Sequence, residues 1–144
     1  MAVPAKGRYM GTELRRWARQ YRVPFGGNPF FPINTLRLMR GAVATLKDGG
    51  FLEYHQAIFT AFWVEGLNLG EEEVVREVLG KAGLNADRIL ARLEEQDVKA
   101  QLRANTEEAV RRGVFGAPTF FVGEEMFWGN DRLMFVEEAL TQPL

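Results

Sequence analysis

Apolar residues recur along most of this chain with a helical period. Leu14, Trp17, Ala18 and Tyr21 fall three or four residues apart, opposite Arg15, Arg16, Arg19 and Gln20, and predict an amphipathic helix with one apolar stripe. Thr12 stands where an N-cap belongs, and Pro24 requires the helix to stop ahead of it. The Pro- and Gly-rich run "VPFGGNPFFPIN" predicts an ordered surface connection. A second helix is expected from about Asn34, with Leu36, Met39, Val43 and Leu46 turned inward and "KDGG" closing it. From Phe51 to Trp63 large apolar groups cover most of the helical circumference, which predicts a helix buried at the centre of the core.

"EEEVVREVLGKAG" predicts another helix, with acids in the first turn, where the macrodipole favours them, and Gly83 just past its end. Asn85 or Asp87 then opens a helical stretch to about Arg112, with Gly113 as its C-terminal cap. The pattern changes at Pro118. "TFFV" and "MFW", separated by "GEE", read as a β-hairpin, and Asn130 as the cap of a last helix carrying Leu133, Val136 and Leu140. A two-stranded hairpin is marginal in water, and helices can cover only its faces. The inventory therefore reads as the later part of a larger α/β domain, with its first strands missing.

Composition narrows the class. At 144 residues, 47% hydrophobic and 26% charged, the chain is expected to be one soluble domain, 1–144, without repeats or low-complexity segments. The longest apolar run, around Ala57 to Val64, is too short to span a bilayer, and the N-terminus lacks a signal-peptide layout, so the cytoplasm is the expected location. A net charge of −1 with interspersed signs gives no footprint for nucleic acid or an anionic membrane. The expected partner is a small molecule or a protein. With no cysteine there is no disulfide framework, thiolate nucleophile or cysteine metal site, and a lone His55 builds no histidine cluster. No metal site is expected.

On local grounds most candidate residues have plain structural readings. His55 in the aromatic helix reads as a packed histidine, and the acidic and mixed-charge runs read as solvated helix faces with i,i+4 pairs. Asn34 is expected to cap a helix, with a ligand contact as the alternative. Pro118 reads as an ordinary strand-opening proline, although an X-Pro bond is the one place where cis costs only about 0.5–1 kcal/mol. Asn130 and Asp131 read as a cap and a first-turn acid. Alternatively, a helix N-terminus that attracts a carboxylate stands there beside an acid that attracts an ammonium. Trp128 is either a core aromatic of the hairpin or a ligand contact.

The blocks "PAKGRYM", "LRRWARQYRVPF", "FPINTLRLMRGA" and "VFGAPTFFVGEEMFWGNDRL" together resemble 2-hydroxychromene-2-carboxylate isomerases. These belong with kappa-class glutathione transferases and the disulfide oxidoreductase DsbA in the thioredoxin-like superfamily. The resemblance implies an α/β thioredoxin-like fold with a large helical insertion, here 10–112. Residues 113–144 would be the C-terminal part of the thioredoxin-like domain, so this chain is mostly α-helical with a C-terminal hairpin and final helix. It further implies that the strand-helix-strand unit carrying the family's thiol-activating Ser is absent, leaving no catalytic residue in this chain. Lys6, Arg8 and Tyr9 fall near the family's active-site approach, but charges at a chain start read more simply as solvated.

The same resemblance implies glutathione as the thiol, which accounts for a thiol-handling motif without cysteine. It implies a cis peptide between Ala117 and Pro118, exposing the Ala117 backbone to pair with the cysteinyl part of glutathione like an added strand. Trp128, Gly129, Asn130 and Asp131 would contact the tripeptide, Gly129 allowing close backbone approach. In the complete family fold the thiolate would add to a conjugated chromene carboxylate, permit ring opening and bond rotation, and leave. Kappa-like glutathione transfer is the second enzymatic reading, and a noncatalytic binding or interaction module the third. Open strand edges point to a homodimer or higher oligomer.

Overall fold

The computed structural model describes residues 4–141. Its packing divides into two compact units, with the boundary between Leu102 and Arg103. In chain order the elements are α1 (Pro4–Tyr21), α2 (Leu36–Asp48), α3 (Phe51–Trp63), α4 (Glu72–Lys81), α5 (Ala86–Arg92) and α6 (Gln96–Arg111), then β1 (Thr119–Val122) and β2 (Glu125–Trp128). A 3₁₀ turn, Asn130–Arg132, runs into α7 (Leu133–Thr141). Among the described residues no helix is long and apolar enough to cross a membrane.

The first unit is helical. Thr12 does not cap α1: the helix runs back through it to Pro4, and the Thr12 hydroxyl donates to the Arg8 carbonyl one turn earlier at 3.5 Å. The residues ahead of Thr12, including Ala5, Lys6, Arg8 and Met10, are good helix formers, and proline at a first helical position is tolerated. At the other end Arg22 adopts φ 55°. Arg22 N–H bonds Arg19 O at 3.2 Å and Val23 N–H bonds Ala18 O at 3.0 Å, a Schellman closure with an arginine where glycine is usual.

The segment between α1 and α2 is pinned to the C-terminal end of α3. Gly26 N–H donates to Trp63 O at 2.6 Å, the Asn28 amide donates to Phe62 O and Leu67 O at 2.9 and 3.0 Å, and Phe25 stacks on Trp63. Asn34 Oδ1 accepts from Leu36 N–H at 3.0 Å, opening α2. In α2 the expected inward stripe is overturned in part. Val43 is buried, but Leu36, Met39 and Leu46 are exposed, the last two at 48% and 60%. The buried set in α2 is Gly41, Val43, Ala44 and Thr45, because its small residues admit α3 closely. A Cβ on Gly41 would stand 2.6 Å from Tyr54 Cζ, and the Tyr54 hydroxyl donates to Leu38 O at 2.9 Å.

Nor is α3 enclosed all round. Tyr54, Ile58, Ala61 and Phe62 are buried, whereas Leu52, His55 and Phe59 lie on an exposed side. That surface includes His55 stacked on Phe59 with ring centroids 4.3 Å apart. The buried face of α3 joins Leu69, Val75, Val78 and Leu79 in the main core, and Val98 of α6 packs with Val43 and Ala44 in a second cluster. The single helical stretch expected up to Arg112 is two helices. Asn85 caps α5, accepting from Arg88 N–H at 2.9 Å, and the chain turns after buried Leu93 before α6 begins.

In the second unit Gly113, at φ 84°, ends α6. The hairpin is antiparallel, pairing Thr119 with Trp128, Phe120 with Phe127, Phe121 with Met126 and Val122 with Glu125. Its two-residue turn has Gly123 at φ 58°, as a tight hairpin of this twist requires. Arg112 stands 3.5 Å over the Phe121 ring and donates to Gly123 O at 3.0 Å. α7 packs on β1. Of the apolar residues that α7 carries, Leu133 and Leu140 are exposed, and Val136 is only half-buried. Between 103 and 141 Gly129 alone is buried, so this unit has too little mass of its own to enclose α7's apolar side.

Candidate functional site

The candidate site lies at the open end of the hairpin. The Ala117–Pro118 peptide is cis, and the Thr119 hydroxyl donates back to Gly116 O at 2.6 Å. Gly129 N–H donates to Pro118 O at 3.0 Å, one rung beyond the Thr119–Trp128 pair. The chain on either side of the hairpin is thereby held together, with Ala117 exposed just ahead of Pro118.

Trp128 is 40% exposed, so it is a surface ring rather than a buried one. Its indole Nε1 lies against Gly116, where a Cβ would be 2.5 Å away. Phe115 tilts against the ring at 5.1 Å between centroids, and the Arg132 guanidinium lies 5.4 Å from the ring centroid. Only glycine fits between them at Gly116.

Gly129 has φ 102° and ψ 148°, a region essentially reserved for glycine. It occupies the cap position of the 3₁₀ turn, and Asn130 is the first residue inside that turn. The expectation that Asn130 caps the last helix is thus corrected: the chain enters through Gly129 without a side-chain cap. A Cβ at Gly129 would collide with the Asp131 carboxylate and the Arg132 guanidinium. Those two side chains pair at 2.5 Å, and Arg132 also donates to Trp128 O at 3.1 Å. Asp131 is exposed and Asn130 half-buried.

Arg132 is the residue that sequence reasoning passed over. Its signal was present: it stands four residues after Trp128 and directly after Asp131, near enough in the chain for a long cation to fold back toward the ring. The corner therefore presents a carboxylate, a guanidinium, a half-exposed flat ring and a strand start within a few residues. The other candidates lie in the first unit. Lys6, Arg8 and Tyr9 are exposed on α1, Asn34 opens α2, and His55 stacks on its own helix.

The chain belongs to the DSBA-like thioredoxin domain family, whose model matches residues 1–141. Within it, the chain is 32% identical to the 2-hydroxychromene-2-carboxylate isomerase of Pseudomonas putida, over 92% of this chain and 64% of that protein. A kappa 2 glutathione S-transferase of Caenorhabditis elegans is 27% identical over 99% of this chain and 70% of its own length. A solved 2-hydroxychromene-2-carboxylate isomerase superposes with a TM-score of 0.82 at 31% identity, covering 94% of this chain and 66% of that one. The chain thus spans somewhat less than two thirds of the Pseudomonas putida enzyme. The fold class is the DsbA-like thioredoxin type, in a family that includes isomerases and transferases.

Proposed function

We propose that this chain supplies the tripeptide-gripping part of a glutathione-dependent isomerase acting on 2-hydroxychromene-2-carboxylate or a close chemical relative. The observation that carries the reading is the meeting of Pro118, Trp128, Gly129, Asp131 and Arg132 at one end of the hairpin. The γ-glutamyl end of glutathione bears an ammonium and a carboxylate, and Asp131 beside Arg132 offers one partner for each. Binding there exchanges one ion pairing for two, so neither buried nor lone charge is left behind. Ala117 leads into β1, whose outer edge is unpaired among the described residues, and an extended peptide adds to such an edge through main-chain bonds. Trp128 and the cap-free entry at Asn130 complete the contacts expected of this corner.

When bound, glutathione supplies the nucleophilic sulfur that a chain without cysteine lacks. The residues here hold and orient: Asp131 takes the ammonium and Arg132 the carboxylate, with the Trp128 ring beside the Arg132 guanidinium. None of them is assigned to the chemical step. A reading as a kappa-like transferase keeps the same grip and changes the acceptor, and the 27% identity to a kappa enzyme favours keeping it in view. Either reaction draws on the reduced glutathione of the cytoplasm.

Thermal unfolding with and without millimolar reduced glutathione tests the grip. A ligand that binds only the native state at a hundredfold excess over Kd stabilises it by about 2.7 kcal/mol. The expected result is a clear rise in melting temperature that Asp131→Ala removes. A folded chain whose melting temperature ignores glutathione would take the grip away from these residues.

A further inference from the structure

The helices α2, α3, α4 and α5 close into a ring, since α3 and α5 each pack on both α2 and α4. Such a ring encloses an axial space that only side chains can fill. Here part of it stays empty. A chamber of about 70 Å³ remains, walled by Leu38 of α2, Tyr54 of α3, Val75 and Leu79 of α4, and Ile89 and Leu90 of α5. Tyr54, Val75 and Leu79 are buried, and the other three half-buried. The Tyr54 ring, the largest of these side chains, is held in its place by the bond from its hydroxyl to Leu38 O at 2.9 Å.

The space exceeds what one water needs, yet the wall gives water little to hold. Among the described residues no buried side-chain nitrogen or oxygen lacks a hydrogen-bond partner, so an ordered water finds too few of the polar partners it requires. Charge stands only at the rim. Arg37 of α2 and Glu72 of α4 line the chamber and pair with each other. Glu72 also takes Arg76 at 3.1 Å, and Arg76 pairs with Asp87 of α5, so three of the four helices are tied together beside the opening. Exposed ion pairs hold weakly, and this one parts without unfolding the ring.

We propose that the chamber is a binding site for a small uncharged apolar molecule, of the size of xenon or a short alkane. A guest restores the dispersion contacts that an empty space forfeits, and apolar cavities that stay dry take up such molecules. A carboxylate or an ammonium does not suit it. Burial would leave that charge without a free partner, because Arg37 and Glu72 already answer each other. The inference is independent of the glutathione reading, since no hairpin residue takes part.

Methyl chemical shifts of the full chain, recorded as xenon pressure is raised, test it. Saturable shifts are expected at Leu38, Val75, Ile89 and Leu90, while Val43 and Val98 in the second cluster stay unmoved. Val75→Ile from one wall and Ile89→Phe from another each fill the space and should lose the response. Arg37→Gln should keep it, because the rim does not hold the guest. Shifts spread evenly over exposed methyls would overturn the proposal, as would an undiminished response in a filled variant whose spectrum shows it folded. A long-lived water detected at the same methyls by nuclear Overhauser transfer would overturn it too, since the chamber would then be wet. So would loss of the response in Arg37→Gln, which would make binding depend on charge. The wild-type shift map reads the site without any substitution.

Discussion

The backbone N–H of Gly129 donates to the carbonyl oxygen of Pro118 at 3.0 Å, and this bond closes the end of the hairpin on which the candidate grip is built. It forms because Gly129 turns the chain at φ 102° and ψ 148°, which brings Asp131 and Arg132 against the place a side chain would fill. Gly129→Ala should therefore cost about 1–3 kcal/mol in urea unfolding and remove any thermal shift given by glutathione. Gly123→Ala is the control. That position also has positive φ, but open space surrounds it, so it should cost about 1 kcal/mol and leave the glutathione shift in place. Equal ligand responses in the two variants would detach the grip from the Gly129 turn.

Much of the fold was readable because its signals are local. The bounds of α3 from Phe51 to Trp63, the glycine ends of α2 and α6, and the presence of a hairpin after Pro118 follow from periodicity and turn chemistry within a few residues, whereas Glu125, expected in the connection, opens β2 and pairs with Val122. What could not be read was which side of a helix meets its neighbours. Leu36, Met39 and Leu46 make a better apolar stripe than Gly41 and Thr45, yet the small residues face inward, because Tyr54 needs the room. A threonine at position 12 carried a capping signal that good helix formers upstream of it overrode. At the site, resemblance named the residues, but the pairing of Asp131 with Arg132 depends on a backbone conformation at Gly129 that no local pattern displays.

The contact of Gly41 with Tyr54 gives a second prediction. Adding a methyl group in Gly41→Ala presses on a ring that cannot withdraw without breaking its bond to Leu38 O. Overpacking of this kind costs about 1–3 kcal/mol, and Tyr54→Phe, which removes only the hydroxyl, about 1 kcal/mol. Burial also holds the Tyr54 phenol well above its ordinary value. The folded state therefore keeps a proton that the unfolded chain releases above about pH 10, so this stability is present below that pH and falls as pH rises beyond it. Urea midpoints measured at about pH 9 and about pH 11 should drop more steeply for the wild type than for Tyr54→Phe. Parallel declines would mean that another group carries the alkaline loss.

Arg92 predicts the acid limb. Its guanidinium donates to Asp48 at 2.9 Å and to Asp97 at 3.0 Å, while Lys47 reaches Asp97 at 2.6 Å. The hydrogen bond from Arg92, with a second from Lys47, holds the Asp97 carboxyl well below the usual carboxylate range. A depressed carboxyl stabilises the fold above its unfolded value, near 4, and loses that effect as pH falls through its folded one. Arg92→Gln should lower the melting temperature at neutral pH and flatten its fall between about pH 5 and about pH 2. An acid limb of unchanged steepness in the variant would assign the acid sensitivity elsewhere. Added salt should weaken the wild type toward the variant, since the network is partly open to solvent.

The second unit makes the last prediction. β1 and β2 pair only with each other among the described residues, leaving an outer edge on each. Phe115 is 69% exposed, and Met134, Phe135 and Leu140 of α7 are exposed as well. A hairpin with open edges and an uncovered apolar helix side is a template for pairing with another chain. The isolated chain should therefore self-associate, with a weight-average mass by light scattering that rises over about a tenfold range of concentration. Met134→Lys with Phe135→Lys should reduce that rise by placing charge on the α7 surface while leaving the first unit's core untouched. A well-folded chain that stays monomeric across the whole range would show that these edges and side chains tolerate water, and association would then have to be dropped from any account of how this protein works.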